Sequence, residues 1–438
     1  ILMPDRTPSP ALAEYKQVIA PVEVTRAEGK QREIRLKNYY NFRSMEGLYL
    51  SWSIEGGGTS IQSGRIDNLY AAPGETQTVT IPYEEFIPEA NISYRLNLSI
   101  REKEALPYAK ANHEISHVQF ALEEKQICFS KRPEGEALQV TEKDGILTVE
   151  NNNFCVRFHT VFGTLLSVSA EGEDYLTKGP ELTVYRATID NDMYKKEDWM
   201  NKYFIQKSSE QNAGFSWKEE KGTVTVAIRK DFGCLNQSWG YTCHYEYRIY
   251  PCGHLEVHLD AKQFQHGKLE PEFLPRLGVK MRGNQRLQQT VWEGMGPGEN
   301  YPDSRRACAM GIYRNTVKGM GTDYVYPQEN GHREHVLWFG IGNGAKTLLC
   351  TMERPLGLNL SNYTDEAIEQ ASHPFELEPA EDVIIHLDYK HSGLGSNSCG
   401  EEQLEAFKVK REDFTMAFRL QIVEQGQEQK EAYKKYLH

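Results

Sequence analysis

The sequence predicts an all-β protein: an immunoglobulin-like β-sandwich followed by a large antiparallel β super-sandwich. Three observations carry this. Apolar residues recur two apart in most segments, the period of a strand with one buried face. Clusters of Gly, Pro, Asn and Asp separate those segments at intervals of about ten residues, as in sandwiches. No strand–helix–strand alternation is present that would build a parallel sheet or a barrel of strands and helices.

The alternation begins at 33–37 (EIRLK) and continues at 48–54 (LYLSWSI), 77–82 (QTVTIP) and 92–100 (ISYRLNLSI), with EGGGTS and APGE as turns. Short strands at this density fit an immunoglobulin-like sandwich, placed at residues 1–120. The segment EKEALPYAKANHEISHVQFALEEKQ leads into a longer series at 146–150, 154–159, 222–229, 243–250, 254–260, 335–340, 347–352 and 383–389. That series implies one large antiparallel sandwich over residues 121–424, before a charged tail at 425–438. Helical patterns are short: TDEAIEQA (364–371), GEEQLEAFK (400–408) and the tail EQGQEQKEAYKKYL.

A chain of 438 residues allows two to four domains with ample core, and 39% hydrophobic with 26% charged residues is ordinary for a soluble globular protein. Net charge of −12 argues against nucleic acid and anionic membrane as partners, since both reward clustered Lys and Arg. A neutral sugar is compatible, and the 24 Tyr residues offer faces that stack on sugars. No apolar run approaches the ~18 residues of a membrane span. The eight Cys (128, 155, 234, 243, 252, 308, 350, 399) show no CxxC and no metal-ligand rhythm, so free thiols in a reducing compartment are expected. Of five Asn-x-Ser/Thr sequons, including Asn91 and Asn362, none matters unless the chain is secreted. The opening ILMPDRTPSPALAEYK lacks the features of a signal peptide and reads as a cut inside a longer protein.

Candidate chemistry is sparse. The loop WEGMGPGENYPDSRRA (292–307) holds Glu293, Glu299 and Asp303. A retaining glycosidase needs two carboxylates about 5–5.5 Å apart, but these three are expected to cap turns and pair with Arg305 and Arg306. His332-x-x-His335, flanked by Glu329 and Glu334, has a spacing of three where a helical zinc motif needs four, and its setting reads as strand and turn. No metal site is expected. Asp190-Asn191-Asp192 lacks the Gly and the bidentate Glu of a calcium loop and reads as an Asx turn. The loop HSGLGSNSCG (391–400) precedes the helical pattern GEEQLEAFK, so its N–H groups are expected at a helix N-terminus, open to a ligand.

The 292–303 stretch resembles the W-x-G-x-GP-x-ENYPDR signature of the last domain of the family 2 glycoside hydrolases, specifically the large β-galactosidases, with Ser304 before the Arg. YVYPQENGHRE (324–334) is similar to their Y-V-x-P-x-ENG-x-R element, and YRATIDND (185–192) to R-A-P-x-DND, departing at Thr188 where Pro is usual. ASHPFEL (371–377) and HSGLGSNSCG follow the family's order, and MPDRTPSPALAEYK resembles the exit from the catalytic barrel. The resemblance covers nearly all of residues 1–424.

It implies a C-terminal portion of a bacterial, cytoplasmic enzyme that hydrolyses terminal β-galactosides with retention. The catalytic Glu pair then lies in a barrel outside this chain, so no catalytic residue and no cofactor belong here, any Mg and Na ions being held by the other domains. The partners implied are the β-galactoside, the remaining domains, and further copies of the whole enzyme in a homo-oligomer. As site residues it implies Asn397, Ser398 and Cys399 on the rim, Cys399 standing where some members carry a Trp, together with Asp190, Asn191 and Tyr194 at the mouth. The alternatives are a free-standing carbohydrate-binding or structural module and a natural small subunit of a two-chain β-galactosidase.

Overall fold

The computed structural model describes residues 2–89, 92–124, 135–234 and 237–433. Cys128 and Asn91 lie outside the described residues. The chain is all-β and divides into two compact units, one of Ile1–Gln126 with Arg305–Ile312, the other of Ile127–Ser304 with Tyr313–Tyr436.

The small unit opens with the helix Pro10–Val18, which has Pro in its first turn, where the missing N–H costs nothing. One sheet runs Val22–Arg26, Glu33–Asn38, Thr76–Thr80; the other runs Thr59–Ile66, Leu48–Gly56, Tyr94–Glu102, Glu114–Glu123. Alternation puts Leu50, Trp52 and Ile54 opposite Ile100, Leu98 and Leu96, and all six are buried with Ile34 and Leu36. Gly64 faces Trp52 across the sheet, and a Cβ there would lie 2.7 Å from the indole. Buried Asn38 staples a loop, donating to the carbonyls of Arg43 and Ala71 and accepting from the Tyr40 N–H.

The large unit is built on a 16-stranded sheet among the described residues. At its centre Phe414–Glu424 pairs with both Leu255–Gln265 and Lys346–Ser361, and the latter pairs with Asp382–His391, which pairs in turn with Arg276–Asn284. Trp239, Tyr241, Cys243, Tyr245, Tyr247 and Ile249 alternate along one strand, and all are buried. One buried ion pair in this core is completed by hydrogen bonds. Lys230 donates to Glu210 at 2.8 Å and the Tyr245 hydroxyl donates to the same carboxyl. Burial pushes that carboxyl up, and Lys230 works against the shift.

The helical patterns fare differently. Asp365–Gln370 is a helix whose N-cap Thr364 accepts from the Ala367 N–H, and Glu428–Tyr433 is a helix with Ala432 fully buried. GEEQLEAFK, however, forms only the 3-10 turn Glu405–Phe407. Its side chains bond across the fold and within the segment: Lys408 donates to Glu272 at a distance in sequence and to Glu405 nearby, and Gln403 donates to the Phe407 carbonyl. Among the described residues, no helix is long and apolar enough to cross a membrane.

Candidate functional site

The DND segment forms the 3-10 turn Asp190–Asp192, anchored from below by a buried ion pair. Arg186 approaches both carboxylate oxygens of Asp192 at 3.2 and 3.1 Å, and Asp192 also accepts from the Ile189 N–H at 3.0 Å. Burial pushes the Asp192 carboxyl up and Arg186 opposes it. Earlier in the same segment, Thr188 stands where the resembling family has Pro. Its N–H and hydroxyl both donate to Glu369, at 2.6 and 2.9 Å; Pro could supply neither bond.

This anchored turn presents Asn191 to the 391–400 loop. Asn191 Nδ2 donates to the Gly395 carbonyl at 2.7 Å, and its Oδ1 accepts from the Ser398 N–H at 3.2 Å and the Ser398 hydroxyl at 2.6 Å. Two segments about two hundred residues apart thereby become one ledge. From the other side Asp303, of the glycine-rich 292–303 stretch, accepts the N–H groups of Leu394 and Gly395 at 2.8 Å each. Gly395 sits at φ +65, which favours glycine, and a Cβ on Gly393 would lie 2.5 Å from the Asp303 carboxyl carbon. The expected helix N-terminus with open donors is thus replaced by a loop whose donors at 394, 395 and 398 are already bonded.

Asp303→Ala leaves those two N–H groups without their acceptor. We expect a cost of about 1–3 kcal/mol confined to this loop, with Asp303→Asn losing less because it keeps one acceptor oxygen. Hydrogen exchange checks it: the Leu394 and Gly395 amides should lose protection while the Trp239–Ile249 strand keeps it.

The remaining residues of the ledge face outward. Asp190, Ser398 and Cys399 are exposed, Asn397 is half-buried, and Tyr194 is 64% exposed on the short helix Met193–Glu197. Lys195 beside it is tied to Glu272 at 2.7 Å and Glu402 at 3.1 Å. Amide, hydroxyl, phenol and thiol groups in this arrangement can hydrogen-bond and stack on a sugar.

The carboxylates of the 292–303 stretch serve as staples. Glu299 accepts from the Gly331 N–H, the Thr322 hydroxyl and the Tyr324 hydroxyl, and Glu293 accepts from the Trp338 indole at 2.7 Å. These partners are backbone, hydroxyl and indole groups.

A second polar centre is not signalled by local spacing. Arg276, fully buried, lies 2.9 Å from Asp388, 3.4 Å from Asp365 and 3.6 Å from Glu329. His386 pairs with Asp365 at 3.1 Å. Burial works to raise Asp365, but His386, Lys280 and Arg276 outweigh it and hold that carboxyl below the usual range. Burial pushes Glu329 up against Arg276 and Arg186, and pushes the His391 imidazole well below its ordinary value, with His332, Arg186 and Arg276 adding to the shift. Glu329, Asp365 and His386 also line a cleft of about 470 Å³ beside Tyr324, Asn359 and Ile368. Alternation alone would place Arg276, His386 and Asp388 outward, because they lie on the face opposite the core residues Leu277, Val279, Ile385 and Leu387. The run Val383–Ile384–Ile385 carries a partial signal: Ile384 shares the face of His386 and Asp388 and is buried, so charge there must be paired.

Comparison with known proteins fits this architecture. Residues 150–420 match the family model described as beta galactosidase small chain, and residues 34–123 match beta-galactosidase, domain 4. A beta-galactosidase from Actinobacillus pleuropneumoniae is 27% identical over 424 residues, covering 96% of this chain and 40% of that protein. One from Photobacterium profundum is 28% identical, covering 91% and 39%, and one from Lactobacillus delbrueckii subsp. bulgaricus is 29% identical, covering 92% and 38%. The chain therefore spans about 40% of the length of the curated relatives it matches. The solved galactose 1-epimerase from Lactobacillus acidophilus NCFM overlaps 68% of this chain and 98% of its own at 10% identity, with a TM-score of only 0.38. A family match across most of the 16-stranded unit settles the assignment: the chain belongs to the beta-galactosidase small-chain family.

Proposed function

We propose that the chain is the C-terminal portion of a retaining β-galactosidase of glycoside hydrolase family 2, forming part of the rim of the sugar site and supporting assembly of the enzyme. The observation that carries this reading is the bonding of Asn191 to Gly395 and Ser398, which joins the two segments named for the rim into one ledge. In this reading Tyr194, Asn397 and Cys399 meet the galactoside or its aglycone, with Asp190 and Ser398 beside them. The thiol of Cys399 offers no flat face, so this rim relies on hydrogen bonds more than one carrying an indole. The acid/base and nucleophile Glu pair belongs to another part of the enzyme, with its metal ions. The enzyme is cytoplasmic and works as a homo-oligomer.

Two measurements test it. The purified 438-residue chain should not hydrolyse a chromogenic β-galactoside; appreciable turnover would place the chemistry here and overturn the assignment of roles. In a full-length enzyme carrying this portion, Asn191→Ala should raise KM about tenfold, the value of one lost hydrogen-bonded anchor. An unchanged KM in a folded variant would remove the ledge from the site.

A second reading, a natural small subunit of a two-chain enzyme, draws on the description of the matched family as a small chain. Co-purification of this chain with a separately encoded barrel-bearing partner would favour it over the single-chain reading.

A further inference from the structure

We propose that His332, Asp388 and His391 form a binding site for one zinc-type divalent metal ion inside the large unit. The three side chains are buried, and their ligand atoms lie within 4.8 Å of one another. His332 Nδ1 is 3.4 Å from Asp388 Oδ2, and the two imidazole rings are 4.5 Å apart. A tetrahedral ion with bonds of about 2.0–2.1 Å spaces its ligand atoms about 3.4 Å apart.

The outer partners of each ligand select the form a metal needs. His391 Nδ1 lies 2.7 Å from the Ser392 carbonyl, which can only accept, so Nδ1 carries the proton and Nε2 keeps its lone pair. His332 Nε2 lies 2.8 Å from a Glu334 carboxylate oxygen, which fixes the opposite tautomer and leaves Nδ1 as the donor atom. Asp388 Oδ1 faces Arg276 at 2.9 Å, leaving Oδ2 toward His332. A carboxylate or carbonyl behind each metal-bound imidazole is the usual arrangement of such sites. Among the described residues, His332 Nδ1, His391 Nε2 and Asp388 Oδ2 are buried without a hydrogen-bond partner, while Asp388 Oδ1 has the Arg276 guanidinium beside it. Converging acceptors without a donor are costly in a protein interior, and a cation relieves all of them together.

The sheet also makes room. Gly357 and Gly278 are the cross-strand neighbours of Asp388. A Cβ on Gly357 would stand 2.3 Å from His332 Cε1, and one on Gly278 would stand 2.8 Å from Asp388 Oδ1. Charge agrees as well. Asp388 shares Arg276 with Glu329 and Asp365, the last of which also has Lys280 and His386, so a cation beside Asp388 adds counter-charge where carboxylates converge. Glu329 Oε1 lies 3.8 Å from His391 Nε2 and also accepts from Asn359. Two imidazoles and a carboxylate suit zinc rather than magnesium or calcium, which prefer all-oxygen sets. Sequence spacing does not suggest this site because its ligands come from a strand entrance and a strand end more than fifty residues apart, and His335, the other histidine of the local motif, is exposed.

The test uses the 438-residue chain, stripped with a chelator and titrated with Co²⁺ alone and then Zn²⁺ alone. We expect one equivalent of Co²⁺ to give the visible absorption of a tetrahedral site, bleached by one equivalent of Zn²⁺. His332→Gln and His391→Gln should each abolish the spectrum, and Glu334→Gln should weaken binding about 10–100-fold. His373→Gln, at an exposed histidine, should change nothing. If a ligand variant fails to fold by circular dichroism, the wild-type spectrum and Glu334→Gln decide. A wild-type chain that takes up no Co²⁺, or a spectrum that survives in folded His332→Gln or His391→Gln, overturns the proposal.

Discussion

Replacing Arg276 with Met destabilises the large unit by about 3–5 kcal/mol, the usual loss when one partner of a buried ion pair is removed. The side chain has no exposure, and it is the cation shared by Asp388, Asp365 and Glu329 at 2.9 to 3.6 Å. Met fills the volume, so packing changes little, and the cost comes from three carboxylates left in a low-dielectric interior. Lys keeps the charge but cannot reach three acceptors with a planar fork, so Arg276→Lys should fall between wild type and Met. The deficit also depends on pH. Asp365 is held below its ordinary value of 3.8 in the fold, so its contribution is fully present above that value and is lost as pH falls through the lower folded value. Removing Arg276 raises that folded value, so the gap between variant and wild type is widest near neutrality and narrows in acid. Urea unfolding at neutral and acid pH measures both; a deficit under about 1 kcal/mol at neutral pH would mean the network is solvated.

Arg276 also shows where sequence reading stops. The alternation that identifies strands such as 48–54 and 243–250 works because burial of one face is a local property with period two. Asn191 and Ser398 can be singled out by family resemblance, yet their direct bond spans about two hundred residues and no spacing rule contains it. The same holds for Asp303, whose carboxylate in a Gly-rich loop suggests chemistry or a turn cap and instead holds the Leu394 and Gly395 amides. GEEQLEAFK misleads in the other direction. Its helix propensity is legible, but Lys408 finds a tertiary partner in Glu272, and Gln403 bonds the Phe407 carbonyl of a 3-10 turn in place of a regular helix. Local spacing pairs His332 with His335, whereas the sheet delivers Asp388 and His391.

Arg186→Met should cost about 3–5 kcal/mol as well, and its second effect should reach the ledge. Asp192 is buried, leans on Arg186 for its counter-charge, and holds the 3-10 turn through the Ile189 N–H. Without Arg186 the carboxylate must take a proton or move toward water, and either response loosens the residue next to Asn191. The Ser398 amide, which donates to Asn191, should then exchange faster. Among the described residues, two Arg186 nitrogens, Nε and Nη1, have no hydrogen-bond partner, so the pair is imperfectly satisfied even when intact. A double variant, Arg186→Met with Asp192→Leu, should therefore recover much of the loss, because it leaves no buried charge behind. The cycle separates two explanations of the turn's order. If the ion pair sets it, the single variants are strongly non-additive and the double variant regains stability without restoring protection at Ser398. If packing sets it, the losses add and exchange at Ser398 follows side-chain volume instead of charge.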